Sequence, residues 1–250
     1  MIPSSSKDKV AIVTGAATGI GEAVARELAS RGARLLLMDQ DGEGAESVAG
    51  AIRGQGGHAL VHRADVACLD DHRAAIDLAL KTFGALHYAV NNAGISGPLL
   101  PLHELGVEEW HRTVAVDLDA IFYGMKVQLP AIEAAGGGAI VNIASIYAHL
   151  GLVRRDAYTA CKHAVLGLTR SVAIEYATRN IRINAVSPGP IRTPLMMRDP
   201  GRAELFAALT AMKRIGEAAE LAKTVAFLLS DDASFVTGSE LIVDGGVSLS

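Results

Sequence analysis

The amino-acid sequence predicts a single-domain α/β protein, a doubly wound parallel sheet of about seven strands with helices on both faces. Short runs rich in Val, Ile and Leu alternate with longer helical patterns along the whole chain. The strand runs are continuously aliphatic rather than alternating with polar residues, the pattern of strands covered on both faces. No linker, repeat or composition shift divides the 250 residues, a length that one large core can serve.

The elements follow in order. Residues 10–14 (VAIVT) read as the first strand, and 20–31 as a helix that stops at Gly32. A strand at 34–38 leads to a helix at 43–54. A third strand at 59–62 precedes a helix at 70–83, which Gly84 terminates. Strands follow at 86–90, 139–143 and 181–186, with 241–243 as a seventh. The remaining helical patterns cover 107–135, 156–178 and 217–229. Helices of this length between strands imply right-handed crossovers and parallel pairing. Residues 188–200 contain Pro188, Pro190, Pro194 and Pro200 and read as an irregular segment, part of a substrate lid at about 189–212. Residues 1–7 read as a flexible tail before a domain at 8–250.

Composition narrows the function classes. The chain is 50% hydrophobic and 20% charged, with 26 glycines and 8 prolines, which excludes a disordered or low-complexity chain. Lys plus Arg at 23 against Asp plus Glu at 27 gives a net charge of −4 and no basic stripe, so nucleic acid is not an expected partner. Neither a signal-peptide core nor an 18-residue apolar run is read, so no membrane role is expected. Cys68 and Cys161 lack metal-type spacing and read as free thiols of a reducing compartment. The expectation is a soluble, cytoplasmic protein with no metal site.

The first strand runs into Thr14-Gly15-Ala16-Ala17-Thr18-Gly19-Ile20-Gly21 and then a helix. Glycines there let backbone approach a pyrophosphate whose charge sits on the helix N-terminus. Asp39 follows the second strand, where a carboxylate can accept bonds from both adenosine ribose hydroxyls and repel a 2′-phosphate. With Gln40 beside it and Thr18 rather than a basic residue in the loop, NAD is favoured over NADP. Asp65-Val66 would face the adenine, and Asn91-Asn92-Ala93-Gly94 ends the fourth strand. Tyr158 and Lys162, spaced i, i+4, share a helix face, and Ser145 stands 13 residues before the tyrosine.

These motifs, together with Pro188-Gly189, Thr193-Pro194 and Val243-Asp244-Gly245-Gly246, resemble the short-chain dehydrogenase/reductase family over roughly residues 8–247. The resemblance implies a Rossmann-type sheet, a nicotinamide cofactor and often a homotetramer, with a homodimer as the alternative. Its cofactor contacts fall on Gly15, Thr18, Gly19, Ile20, Gly21, Asp39, Asp65, Val66, Asn91, Ala93, Gly94, Tyr158, Lys162, Pro188, Gly189, Ile191 and Thr193. Its mechanism assigns Tyr158 as general base and acid, Ser145 to the substrate oxygen, and Lys162 to the nicotinamide ribose and to support of the phenolate. A free tyrosine titrates near pH 10, so that support is needed. Where the family usually carries an active-site Asn, this chain has Asp117, a fourth catalytic candidate. Its carboxylate would oppose the support from Lys162 and shift the pH optimum.

Substrate contacts are expected from Ser96, His149, Leu150, Val153, Met196 and Met197, a mostly apolar set suited to a neutral secondary alcohol or ketone with a hydrophobic body. An NADP-preferring ketone reductase and a non-catalytic dinucleotide-binding regulator are the alternatives. A hydrolase built on Ser145 ranks last, because Ile143, Ala144, Ile146 and Tyr147 flank it rather than a Gly-x-Ser-x-Gly elbow.

Overall fold

The structure, a computed structural model, describes residues 6–197 and 200–249. Its first half alternates β1 (Val10–Thr14), α1 (Gly19–Ser30), β2 (Arg34–Asp39), α2 (Gly42–Gly54), β3 (His58–Arg63), α3 (Leu69–Phe83) and β4 (Tyr88–Asn91). The second half continues with α4 (Val107–Val114), α5 (Ala120–Ala134), β5 (Gly138–Ile143), α6 (Asp156–Tyr176) and β6 (Ile181–Pro188). It closes with β7 (Ile191–Arg192), α7 (Pro194–Met197), α8 (Pro200–Leu209), β8 (Gly216–Glu217), α9 (Ala218–Leu229) and β9 (Glu240–Val243).

Seven strands form one sheet in the order β3-β2-β1-β4-β5-β6-β9, and every pairing is parallel. The chain winds outward from β1 to β3 and then returns to lay β4 against the other side of β1. That reversal opens a crevice at the carboxyl ends of β1 and β4, the place where such sheets bind ligands. Strand side chains alternate between the faces. Ala11 and Val13 pack with α1, α2 and α9 on one side, while Val10 and Ile12 pack with α3, α5 and α6 on the other. β1 is wholly buried, as its uninterrupted aliphatic sequence requires.

The helix terminators act as read: Gly84 caps α3 in the left-handed region at φ 83°. Three features differ from the sequence reading. The helix expected over 107–135 is interrupted by a π-helical turn at Ala115–Asp119, between α4 and α5. The stretch read as irregular, 188–200, contains β7 and α7, with Pro194 in the first helical position, where its missing N–H costs nothing. β7 pairs with β8 in a separate two-stranded sheet that anchors the segment carrying α8. Of the expected tail, residues 1–5 lie outside the described residues, whereas Ser6 is buried and the Asp8 N–H donates to Gly32 O. Within the expected lid, residues 198 and 199 also lie outside the described set.

Candidate active site

The β1–α1 turn is shaped by close approach. Gly15 has φ 65°, and a Cβ on it would lie 2.9 Å from Ala93 Cα. A Cβ on Gly21 would lie 1.9 Å from Gly15 O, so that glycine lets α1 pack onto its own turn. The Thr18 side chain makes no cap bond, leaving the first-turn N–H groups of α1 to other acceptors. The turn is tied to the end of β4 by Thr14, whose Oγ1 accepts from Asn92 N–H (2.9 Å) and Ala93 N–H (3.1 Å). Asn92 Nδ2 returns a bond to Thr14 O at 2.9 Å.

A cavity of about 430 Å³ runs from this turn to the end of β2, lined by Gly15, Thr18, Gly19, Ile20, Asp39, Asp65, Val66, Ala93, Gly94 and Thr193. The Asp39 carboxylate is held by Ala17 N–H and Asp41 N–H, both at 2.9 Å, and still faces the cavity. Asp65 Oδ1 accepts from Ala67 N–H, and buried His72 bonds Val66 O at 2.9 Å, so this wall is braced from behind.

A second cavity, about 360 Å³, holds Ser145, Tyr158, Lys162 and Asp117, with Pro188, Gly189, Ile191 and Thr193 opposite. Ile20, Asn92, Gly94, Ile95 and Thr193 line both cavities, which therefore adjoin. Ser145, at the end of β5, is buried, and its Oγ accepts from Tyr147 N–H at 3.2 Å. The Lys162 ammonium lies 5.4 Å from the Tyr158 ring centroid and donates to Ile143 O at 3.2 Å.

Lys162 also forms an ion pair with Asp117, Nζ to Oδ1 3.1 Å, with the side chains 4% and 0% exposed. The approach is not that of an aligned hydrogen bond, because Oδ1 has no bonding partner among the described residues, while Oδ2 accepts from Ile95 N–H at 3.1 Å. Burial lifts the Asp117 carboxyl above its ordinary range, against the pull of Lys162 and the Ile95 N–H. Burial works to depress the ammonium, but Asp117 and Tyr158 outweigh it and hold Lys162 above the ordinary lysine value. Neighbouring Cys161 is pushed up to about 11, chiefly by burial and then by Asp117, which makes it a poor nucleophile.

Several expected contacts fall elsewhere. Asn91 lines neither cavity: its Nδ2 donates to Asn142 Oδ1 and Gln128 Oε1, and its Oδ1 accepts from Gln128, so it fastens β4 to β5 and α5 inside the core. Asn92, one residue on, takes the cavity position instead. Gly21 also lines neither cavity and serves packing. Of the expected substrate contacts, Ser96, Leu150 and Met196 line the second cavity. His149 lines neither cavity: its Nε2 meets Glu240 of β9 at 2.5 Å. Val153 is 80% exposed, and Met197 lies with its Sδ 3.4 Å from Arg192 Nη1. Phe206 and Leu209, within the lid expected at about 189–212 but not singled out there, and Arg155 and Val247, which the sequence does not mark, also line the second cavity. Arg155 donates to Ser96 O at 2.7 Å and to Gly97 O, strapping that loop. The i, i+3 spacing of Phe206 and Leu209 on α8 is a pattern that could have marked those two.

Comparisons with known proteins agree with this architecture. The family model described as enoyl-(acyl carrier protein) reductase matches residues 15–248. A cyclohexanol dehydrogenase of Acinetobacter sp. (strain SE19) is 48% identical over 238 residues, 95% of this chain and 94% of that protein. A cis-4-hydroxycyclohexanecarboxylate dehydrogenase of Sinomonas cyclohexanicum is 47% identical over 242 residues, 96% of each. The crystal structure of a 3-ketoacyl-(acyl-carrier-protein) reductase from Brucella melitensis complexed with NADH superposes with a TM-score of 0.91 at 35% identity, covering 97% of this chain and 99% of that one. With seven parallel strands, the glycine turn at β1 and Ser145, Tyr158 and Lys162 around one cavity, the chain belongs to the short-chain dehydrogenase/reductase family.

Proposed function

We propose that the protein is an NAD(H)-dependent oxidoreductase that interconverts a secondary alcohol, of the size of a substituted cyclohexanol, and its ketone. The observation that carries this reading is the adjoining pair of cavities, one ending at the Asp39 carboxylate and the other holding Ser145, Tyr158 and Lys162. The donor set fits a nicotinamide dinucleotide. A fixed carboxylate suits ribose hydroxyls, a helix start without a side-chain cap suits the pyrophosphate, and an ammonium suits the second ribose. Asp39, Gln40 and Thr18 favour NAD over its 2′-phosphorylated form. The ring-alcohol class is supported by the two relatives at 48% and 47% identity and by a mostly aliphatic wall that includes Leu150, Leu152 and Phe206.

The bound cofactor supplies hydride acceptance and donation at nicotinamide C4. The chain's own residues handle the proton and the geometry. Tyr158 takes the alcohol proton in oxidation and returns it to the ketone oxygen in reduction. Ser145 donates a hydrogen bond to that oxygen and holds it in line. Lys162 lends positive charge to the phenolate and grips the ribose. Asp117 stands behind Lys162. We place the enzyme in the cytoplasm as a homotetramer. Among the described residues no helix is long and apolar enough to cross a membrane.

The test is spectrophotometric. Cyclohexanol and substituted cyclohexanols with NAD at mildly alkaline pH are expected to yield the reduced cofactor. Tyr158→Phe is expected to lower kcat by about 10²–10⁴-fold while leaving NAD binding measurable. A Tyr158→Phe enzyme of wild-type activity would overturn the assignment.

A further inference from the structure

The reaction centre carries a charge balance set by two side chains. Lys162 is nearly sealed at 4% exposure, and its counter-charge, Asp117, is sealed completely. The carboxylate stands on the π-helical turn between α4 and α5 and lies directly beneath Gly94, where a Cβ would sit 2.7 Å from Oδ1 and 3.6 Å from Lys162 Nζ. Gly94 belongs to the wall common to both cavities, so the pair lies under their junction. Asp117 Oδ1 is buried without an aligned hydrogen bond and Asp117 lines the second cavity.

The groups facing Lys162 Nζ are few. The turn between α4 and α5 supplies Asp117, α6 supplies the Tyr158 ring and the Cys161 thiol, and β5 supplies the Ile143 carbonyl. The other charged side chains lining the second cavity and the first are Arg155, and Asp39, Asp65 and Arg112, respectively. Asp117 thus cancels the ammonium and leaves the junction neutral, where an amide of the same shape would leave it at +1.

We propose that Asp117 is a positioning and charge-balancing residue that biases the site toward the oxidised, positively charged nicotinamide over the reduced, neutral one. This rests on the dinucleotide reading above. Oxidised and reduced cofactor differ by one unit of charge on the nicotinamide ring, so a neutral junction accepts the cation at lower electrostatic cost than a cationic junction does. The same balance limits how strongly Lys162 supports a phenolate at Tyr158. Removing the carboxylate therefore moves alcohol oxidation toward lower pH.

The experiment is calorimetric titration of NAD+ and NADH, with the 2′-phosphorylated pair alongside, into wild type, Asp117→Asn and Asp117→Glu. Asp117→Asn is expected to weaken the oxidised form relative to the reduced form by about tenfold, the order expected for one charge in a partly wet site. Asp117→Glu, which keeps the charge, is expected to hold the wild-type ratio. The pH–rate profile of Asp117→Asn is expected to rise at lower pH than that of wild type. If Asp117→Asn does not fold, Asp117→Ser carries the same expectations. An unchanged ratio in the neutral variant, or an equal change in Asp117→Glu, overturns this inference alone. Wild type that binds neither dinucleotide overturns it together with the functional reading.

Discussion

Asp39 shows how firmly one side chain can be set at a cavity rim. Its two oxygens accept Ala17 and Asp41 N–H bonds, so the carboxylate is fixed at the cavity rim before any ligand arrives. Asp39→Ser is expected to remove the repulsion of a 2′-phosphate and raise the affinity for NADPH relative to NADH by at least about tenfold, read by fluorescence titration. It also removes the acceptor of the part-buried Ala17 N–H and is expected to cost about 1 kcal/mol in chemical denaturation. The places of Asp39, Tyr158 and Lys162 on the cavity walls were legible in the sequence because each follows from spacing relative to a strand end or a helix repeat. Asn91 and Asn92 were not separable that way. The pair closes a strand whose side chains alternate, and the core polar group Asn142 on the adjacent strand decides which of the two turns inward. His149 was misread for a related reason: its direction is set by Glu240, 91 residues away.

Among the elements, α3 and the turn into β4 carry two histidines whose neutral form the fold favours. His72, on α3, is held below its ordinary value by burial. His87, just before β4, is lowered by burial and then by Lys9 and Arg34, and its Nδ1 accepts the Val10 N–H at 3.1 Å, which requires an unprotonated nitrogen. The unfolded chain therefore takes up protons before the folded one as pH falls below about 6.5. The stabilisation is fully present above that value and is lost as pH drops through the depressed folded values. Melting temperature is expected to fall between pH 7 and pH 5, and His72→Met is expected to show a shallower fall over the same interval. At this scale the strands and most helices were legible from periodicity. The π-helical turn was not, since it changes the hydrogen-bond spacing of an uninterrupted helical pattern without changing its composition. β7 and β8, two residues each, are too short to have a period.

At the scale of the whole molecule, the winding order follows from the sequence only through general rules of crossover handedness, yet it brings Asp39, Asn92, Ser145 and Pro188, at or just past the carboxyl ends of their strands, to one end of one sheet. Ile174 on α6 is 80% exposed, and Phe122 on α5, Phe227 on α9 and Ile242 on the edge strand β9 are also exposed. Apolar groups on two layers and at an open sheet edge suit contacts with further copies of the chain. Light scattering is expected to give about four times the 26.0 kDa chain mass. Ile174→Glu and Ile242→Lys are each expected to lower it, and a monomeric wild type would refute the assembly.

The turn at Ala115–Asp119 bears on anyone who would engineer this enzyme. Thermostable variants are commonly reached by idealising helices, replacing irregular stretches with strong helix formers. Here the irregularity holds Asp117 against Lys162. Regularising it would change the residue count per turn and swing downstream side chains by about 100° for each residue gained or lost. A redesign that improves this helix therefore dismantles the ion pair it carries. Stabilising changes that are to keep the Lys162–Asp117 pair are better sought elsewhere in the chain.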